Sequence, residues 1–306
     1  MSTPFFLVAG FLGSGKTSLL KHLLQSGWAS HRIAIIQNEF AQANVDAEIL
    51  KQAKAYHVTE INGGSVFCVC LLSHFRNSLA EIVDHIRPEM VILEATGLAD
   101  PIAIGQLLGA AELKQRLYLS RILSVVDASN FLEMQELLPR IRQQVRVADF
   151  VVVNKMDLSD KATAEKIRGK IAELNPFANI LQTTHCRGLD PDILGTRPDT
   201  PVAVRQASRL QEFEPGGRPA IESAVIKTTE TIPQEGLGIF LSEFAAKTYR
   251  MKGFAKLRGG NVVAIQCCFG GVELFPCENY EGPSVIVGLG PRLDASEFRK
   301  RFDELC

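Results

Sequence analysis

Apolar residues along this chain fall into two alternating patterns. Short runs, "FFLVA" at 5–9, "RIAIIQ" at 32–37, "MVILE" at 90–94, "RILSVVDA" at 121–128 and "DFVVVN" at 149–154, are almost continuously apolar. Strands covered by helices on both faces read this way, because neither face meets water. Between them lie longer amphipathic segments: "GKTSLLKHLLQSG" at 15–27, "LLSHFRNSLAEIVDHI" at 71–86 and "KATAEKIRGKIAEL" at 161–174. The alternation predicts βαβ units and an α/β fold with a doubly wound, mostly parallel sheet.

The rhythm breaks at residues 187–219, which are rich in proline, glycine and charge. This stretch reads as a linker. Beyond it, "AIESAVIKT", "GFAKLRGGNVVAIQCCFGGVELFP" and "SVIVGLG" read as strands, and "QEGLGIFLSEFAAKTYR" and "DASEFRKRFDEL" as helices. The glycine pairs at 259–260 and 270–271 punctuate an antiparallel meander. The expected organisation is a phosphate-loop domain over 1–190, a linker over 191–219 and a smaller α+β domain over 220–306.

Composition narrows the function classes. A net charge of −1 over 306 residues offers no basic field for nucleic acid. No apolar run approaches the roughly 18 residues of a membrane span. The apolar start lacks a basic leader and runs straight into a glycine loop, so it is not read as a signal peptide. Seven cysteines, an odd number, argue against a disulfide framework and for a reducing, cytoplasmic setting.

"GFLGSGKT" at 10–17 carries the first chemistry. Gly10, Gly13 and Gly15 let the backbone curl so that several N–H groups, with those of Ser14 and Ser18, meet one phosphate group. The start of the following helix adds partial positive charge. Lys16 is expected to reach the β and γ phosphates, and the Thr17 hydroxyl to bind Mg²⁺. The alternative, an accidental glycine turn, does not explain the preceding strand and following helix.

"VVVNKMDL" at 151–158 is a strand ending in Asn154, Lys155 and Asp157. The Asp157 carboxylate can accept from the guanine N1–H and exocyclic amine; adenine would leave it unpaired. The Lys155 stem can cover the base, and "TTHCRG" at 183–188 stands where a last loop would close over it. The expected cofactors are therefore GTP and Mg²⁺. In "MVILEATG" an apolar strand brings Glu94 to its edge beside the phosphate loop, with Thr96 and Gly97 where a γ-phosphate sensor would sit. Lys16, Glu94, Thr96 and Gly97 are the catalytic candidates. Glu94 would hold a Mg²⁺-bound water or orient the attacking one; a solvent-facing carboxylate is the bland alternative.

Taken together, these motifs resemble the CobW-type GTPases, relatives of metallochaperones that serve metalloenzymes. "GFLGSGKTSLLKHLL", "IQNEFAQANVD" and "EATGLADP" carry the likeness, and the region from "IESAVIKT" to "FRKRFDELC" resembles the family's smaller domain. The resemblance implies a GTPase that binds a transition metal such as Zn²⁺ or Co²⁺ and delivers it to a client metalloenzyme or cofactor-pathway protein. A homodimer stays open. The family's C-x-C-C is here Cys68-Val69-Cys70-Leu71, with four residues between Asn62-Gly63 and Cys68, and Gln42 stands where the family's N-E-F-G-E has a carboxylate.

In an extended segment Cys68 and Cys70 would present both sulfurs on one side. His74, four residues on, shares a face with Cys70 if the helix begins there. With Glu39 these make a four-ligand set for a soft metal. Glu39 belongs to the expected switch segment, so metal affinity and nucleotide state would be linked reciprocally. Core packing of two small thiols is the competing reading. Cys186, Cys267 and Cys268 are read as packing residues, Phe5, Phe6 and Phe11 as core or loop anchors. Hydrolysis is expected to be slow alone, because no arginine finger or water-positioning glutamine is evident. A GTP-dependent conformational chaperone for a corrinoid or other cofactor enzyme is the alternative function. A small-molecule kinase is disfavoured by the N-K-x-D signature.

Overall fold

The computed structural model describes residues 3–26, 32–37, 56–60, 69–108, 113, 115–189, 221–268, 271–277, 280–291 and 293–306. The chain divides into two compact units.

Among the described residues the first unit holds seven strands: β1 (Thr3–Gly10), β2 (Ile33–Gln37), β3 (Tyr56–Glu60), β4 (Met90–Glu94), β5 (Leu117–Asp127), β6 (Phe150–Asn154) and β7 (Asn179–Gln182). They form one sheet in the order β3-β2-β4-β1-β5-β6-β7, and every neighbouring pair is parallel. Its helices are α1 (Lys16–Ser26), α2 (Val69–Ile86), α3 (Pro101–Leu108), α4 (Phe131–Leu137), α5 (Pro139–Arg146) and α6 (Lys161–Leu174). This is the predicted doubly wound α/β sheet. The apolar runs hold it together. Phe6, Val8, Ile33, Ile35, Ile92, Leu123, Val125 and Val152 pack with Leu19, Leu20, Leu23 and Leu24 of α1 in one core. Their strand neighbours Phe5, Leu7, Val91, Leu93, Ile122, Val151 and Val153 are equally buried, so both faces are covered. Each buried leucine of α1 contributes about 1.5–3 kcal/mol of transfer free energy. Asp160 caps α6 by accepting from Thr163 N at 2.7 Å.

The sheet places the site. β1 lies between β4 and β5, the strand order reverses there, and ligands of open parallel sheets bind beyond the strand C-termini at such a point. Gly10, Glu94 and Gln37 end three adjacent strands, with Val8 and Gln37 flanking Glu94 in register.

The second unit is a five-stranded antiparallel sheet: β8 (Ile221–Thr228), β9 (Arg250–Lys256), β10 (Val262–Cys268), β11 (Gly271–Pro276) and β12 (Ser284–Pro291), in the order β11-β10-β9-β12-β8. Helices α7 (Gln234–Ala245) and α8 (Ala295–Leu305) bury Phe240, Phe244, Phe298 and Phe302 against it. The phenylalanines meet edge-on and tilted, with ring centroids 4.8–5.4 Å apart. The charged residues of α8 pair along its exposed side, as in Arg299–Asp303 at 3.0 Å. Two predicted bounds shift. The helix read to Arg250 ends at Ala245, where the Thr248 hydroxyl donates to Phe244 O at 2.8 Å, and β9 already begins at Arg250.

Candidate nucleotide site

The turn between β1 and α1 has the backbone a phosphate cradle requires. Gly10, Gly13 and Gly15 have φ of +148°, +73° and +107°, a region that favours glycine. Space excludes side chains as well: a Cβ on Gly10 would strike the Val125 carbonyl of β5, and one on Gly15 the Asn154 amide. Gly13 and Ser18 lie exposed on this turn. Lys16 Nζ reaches back across it and donates to Phe11 O at 3.3 Å. Ser14 is fully buried, and among the described residues its Oγ lacks a hydrogen-bond partner.

At the neighbouring strand end Glu94 is gripped from two sides. Thr17 Oγ1 donates to its Oε1 at 2.7 Å, and Gln37 Nε2 to its Oε2 at 2.9 Å. Glu94 is therefore no solvent-facing carboxylate; it is 8% exposed. A hydroxyl and a carboxylate in contact at the mouth of a phosphate loop form the hard oxygen set Mg²⁺ takes. These residues fit the ion: Thr17 would be a direct ligand, with Glu94 beside it. Gln37 was missed in the sequence, although the signal that exposed Glu94 applies to it equally: one polar residue ending an apolar strand.

On the other flank, Asn154 joins two loops. Its Nδ2 donates to Ser14 O at 2.9 Å, while its Oδ1 accepts from Cys186 N at 2.9 Å and Thr183 Oγ1 at 3.3 Å. It thus ties the phosphate loop to the "TTHCRG" loop. In that loop His185 and Cys186 take positive φ of 54° and 55°, a conformation disfavoured for side-chain-bearing residues. Cys186 is fully buried in the core, and its Sγ donates to Gly15 O at 3.4 Å. Burial pushes its thiol up to about 11, only partly opposed by Thr183. Lys155, also at positive φ (62°), forms an ion pair with Asp127 at 2.6 Å. Burial alone would raise the Asp127 carboxyl. Hydrogen bonds from Lys155 and from the Ser129 hydroxyl and amide outweigh this and hold it below the usual carboxylate range. This brace fixes the Lys155 stem, and Asp127 is a second residue absent from the motif reading. Asp157 lies exposed in the 3-10 turn Met156–Leu158.

Beyond Glu94 the chain lies on the phosphate loop. A Cβ on Gly97 would stand 2.7 Å from Leu12 N. Thr96 is half-buried, its carbonyl accepting from Ala99 N at 3.0 Å. Gln144 of α5 donates to Gly97 O at 3.2 Å and Ala99 O at 3.0 Å. Buried Asp100 caps α3 and pairs with Arg140 at 3.2 Å.

Residues 4–182 match the family model described as CobW/HypB/UreG, nucleotide-binding domain. This chain belongs to the CobW/HypB/UreG family. Over 187 residues it is 32% identical to the zinc chaperone YjiA of Escherichia coli, covering 58% of this chain and 57% of that protein. It is 26% identical over 221 residues to the zinc-regulated GTPase metalloprotein activator 1 of Dictyostelium discoideum, covering 60% and 46%. The chain thus spans about half the length of the curated relatives it matches. The zinc-bound YjiA GTPase structure from E. coli superposes at a TM-score of 0.62 with 23% identity, covering 100% of this chain and 99% of that one, a likeness of fold.

Of the two cysteines read as metal ligands, Cys70 lies in a described element of this CobW/HypB/UreG chain. Helix α2 begins at Val69, two residues earlier than read, so Cys70 is helical. Cys70 and His74 stand one helical turn apart, as i and i+4. Cys68 and Glu39 lie outside the described residues, as does all of 191–219. Among the described residues no group of three His, Cys, Asp or Glu side chains is arranged to hold a metal. Cys267 packs in the second core, as expected. No described helix is long and apolar enough to cross a membrane.

Proposed function

We propose that this protein binds GTP with Mg²⁺ at the ends of β1, β4 and β6, hydrolyses it, and couples the nucleotide state to holding a transition metal. It passes that metal to a client metalloenzyme or cofactor-pathway protein in the cytoplasm. The observation that carries the nucleotide half is the Thr17–Glu94 contact of 2.7 Å beside a glycine cradle. Two oxygen donors of the right chemistry meet where phosphate and ion would lie. Mg²⁺ supplies charge neutralisation on the phosphates. The protein supplies backbone N–H groups for the β phosphate, Lys16 for the γ phosphate, and Glu94 to orient water toward phosphorus. The oxygen bridging the β and γ phosphates leaves with GDP. Asp157 accepts the guanine donors, and Lys155, braced by Asp127, flanks the ring.

The metal half draws on Cys68, Cys70, His74 and Glu39, and on the names of the relatives, two of which carry zinc. The domain bounds 1–190, 191–219 and 220–306 belong to the same reading, with the smaller unit recognising the client. Calorimetry on the reduced, metal-free protein tests it. Zn²⁺ and Co²⁺ are titrated with a non-hydrolysable GTP analogue or GDP present, and again with Cys68→Ser and Cys70→Ser. The expected result is tight binding that weakens in both variants and differs between nucleotides. Binding indifferent to cysteines and nucleotide alike would defeat the metallochaperone reading, and absence of GTP binding would defeat the whole.

A further inference from the structure

Gln37 holds an unused acceptor beside the proposed ion. Its side chain is 3% exposed, and its Nε2 donates to Glu94 Oε2 at 2.9 Å. Among the described residues its Oε1 is buried without a hydrogen-bond partner. Such an oxygen loses its solvent bonds on folding and is costly unless a donor arrives. Flipping the amide gives no relief, since it would set Oε1 against the Glu94 carboxylate. The orientation is therefore fixed, with the donor on Glu94 and the acceptor open. Nε2 and Oε1 share one planar amide, so the open oxygen is within a few ångströms of the carboxylate that Thr17 also touches.

We infer that Gln37 is a positioning residue of this site: its Nε2 clamps Glu94, and its Oε1 accepts a hydrogen bond from a water on the nucleotide-bound Mg²⁺. A water on a divalent cation is a strengthened donor, the partner a buried amide oxygen lacks. Gln37 thus helps set how tightly Mg²⁺ is held with GTP. The inference rests on the proposed function and extends it to a residue outside the phosphate loop, the Glu94–Gly97 segment and the N-K-x-D signature.

The test is equilibrium binding of a fluorescent, non-hydrolysable GTP analogue across a Mg²⁺ titration and in EDTA. Gln37→Met keeps the size and removes both polar atoms. The expected result is a Mg²⁺ midpoint raised about tenfold, the scale of one lost charge-assisted hydrogen bond, with affinity in EDTA unchanged. Gln37→Glu keeps the acceptor but sets two carboxylates side by side. Its midpoint should move the other way, to lower Mg²⁺, because the ion relieves the repulsion. Thermal melts establish that each variant is folded, and if Gln37→Met is not, Gln37→Glu decides. An unchanged midpoint in a folded variant, or equal losses with and without Mg²⁺, would reduce Gln37 to a structural role. If the wild type binds no guanine nucleotide, the proposed function fails as well.

Discussion

Asn154 belongs to the base-reading signature, yet its side chain is spent on joining two loops, and this predicts a specific failure. In Asn154→Ala, Ser14 O loses its 2.9 Å donor and Cys186 N its 2.9 Å acceptor. Both residues are fully buried, so water replaces neither partner without rearrangement. Each stranded group costs about 1–3 kcal/mol, which places the loss at about 2–6 kcal/mol. The left-handed backbone at Cys186 loses the bond that holds it, which pushes toward the upper half. Urea unfolding followed by circular dichroism measures the loss. Affinity measured in parallel should fall by a similar factor for GTP, GDP and xanthosine triphosphate, because the damage lies in loop geometry and not in base recognition. A loss below about 0.5 kcal/mol with unaltered GTP affinity would refute the reasoning.

The other residues make separable predictions. Lys16→Ala should abolish GTP hydrolysis, read as phosphate release, while leaving the circular dichroism unchanged. Asp157→Asn should shift preference from guanosine toward xanthosine nucleotides in competition binding, because the 2-oxo group needs a donor; no shift would misplace the base pocket. Asp127→Asn should release Lys155 and weaken GTP binding by about fivefold in calorimetry, a partly exposed pair being worth about 1 kcal/mol. The same carboxyl gives a pH signature. Its value is depressed in the folded chain, so its stabilisation is complete above the ordinary carboxylate pKa near ~3.9 and disappears as the pH falls through the depressed value. Urea midpoints of wild type and Asp127→Asn should therefore converge in acid.

What the sequence discloses here is what neighbours in the chain decide. The phosphate turn follows from glycine spacing, and β4 and β6 from unbroken apolar runs, so their ends carried Glu94 and Asn154 correctly to one sheet edge. Strand β3, "YHVTE", has too few apolar residues to announce itself and owes its place to pairing with β2. Helix α3 was missed because "PIAIGQLL" is apolar on most sides, with Pro101, Ile102, Ile104, Gly105 and Leu108 buried, and shows no polar stripe. The site divides in the same way. Lys16, Thr17 and Asp157 are legible as motif positions. Gln37 on Glu94, Asp127 on Lys155 and Gln144 on Gly97 join residues 57, 28 and 47 apart, and only the fold brings them together.

The missing side chain at residue 97 carries one last implication. With only hydrogen there, the main chain leaving β4 lies close against the backbone of Leu12 in the loop that begins with Gly10. Movement of the phosphate loop is therefore pressed directly into the 97–99 backbone, and Gln144 hands it on to α5. Even a methyl group at 97 would wedge the two backbones apart and break that relay.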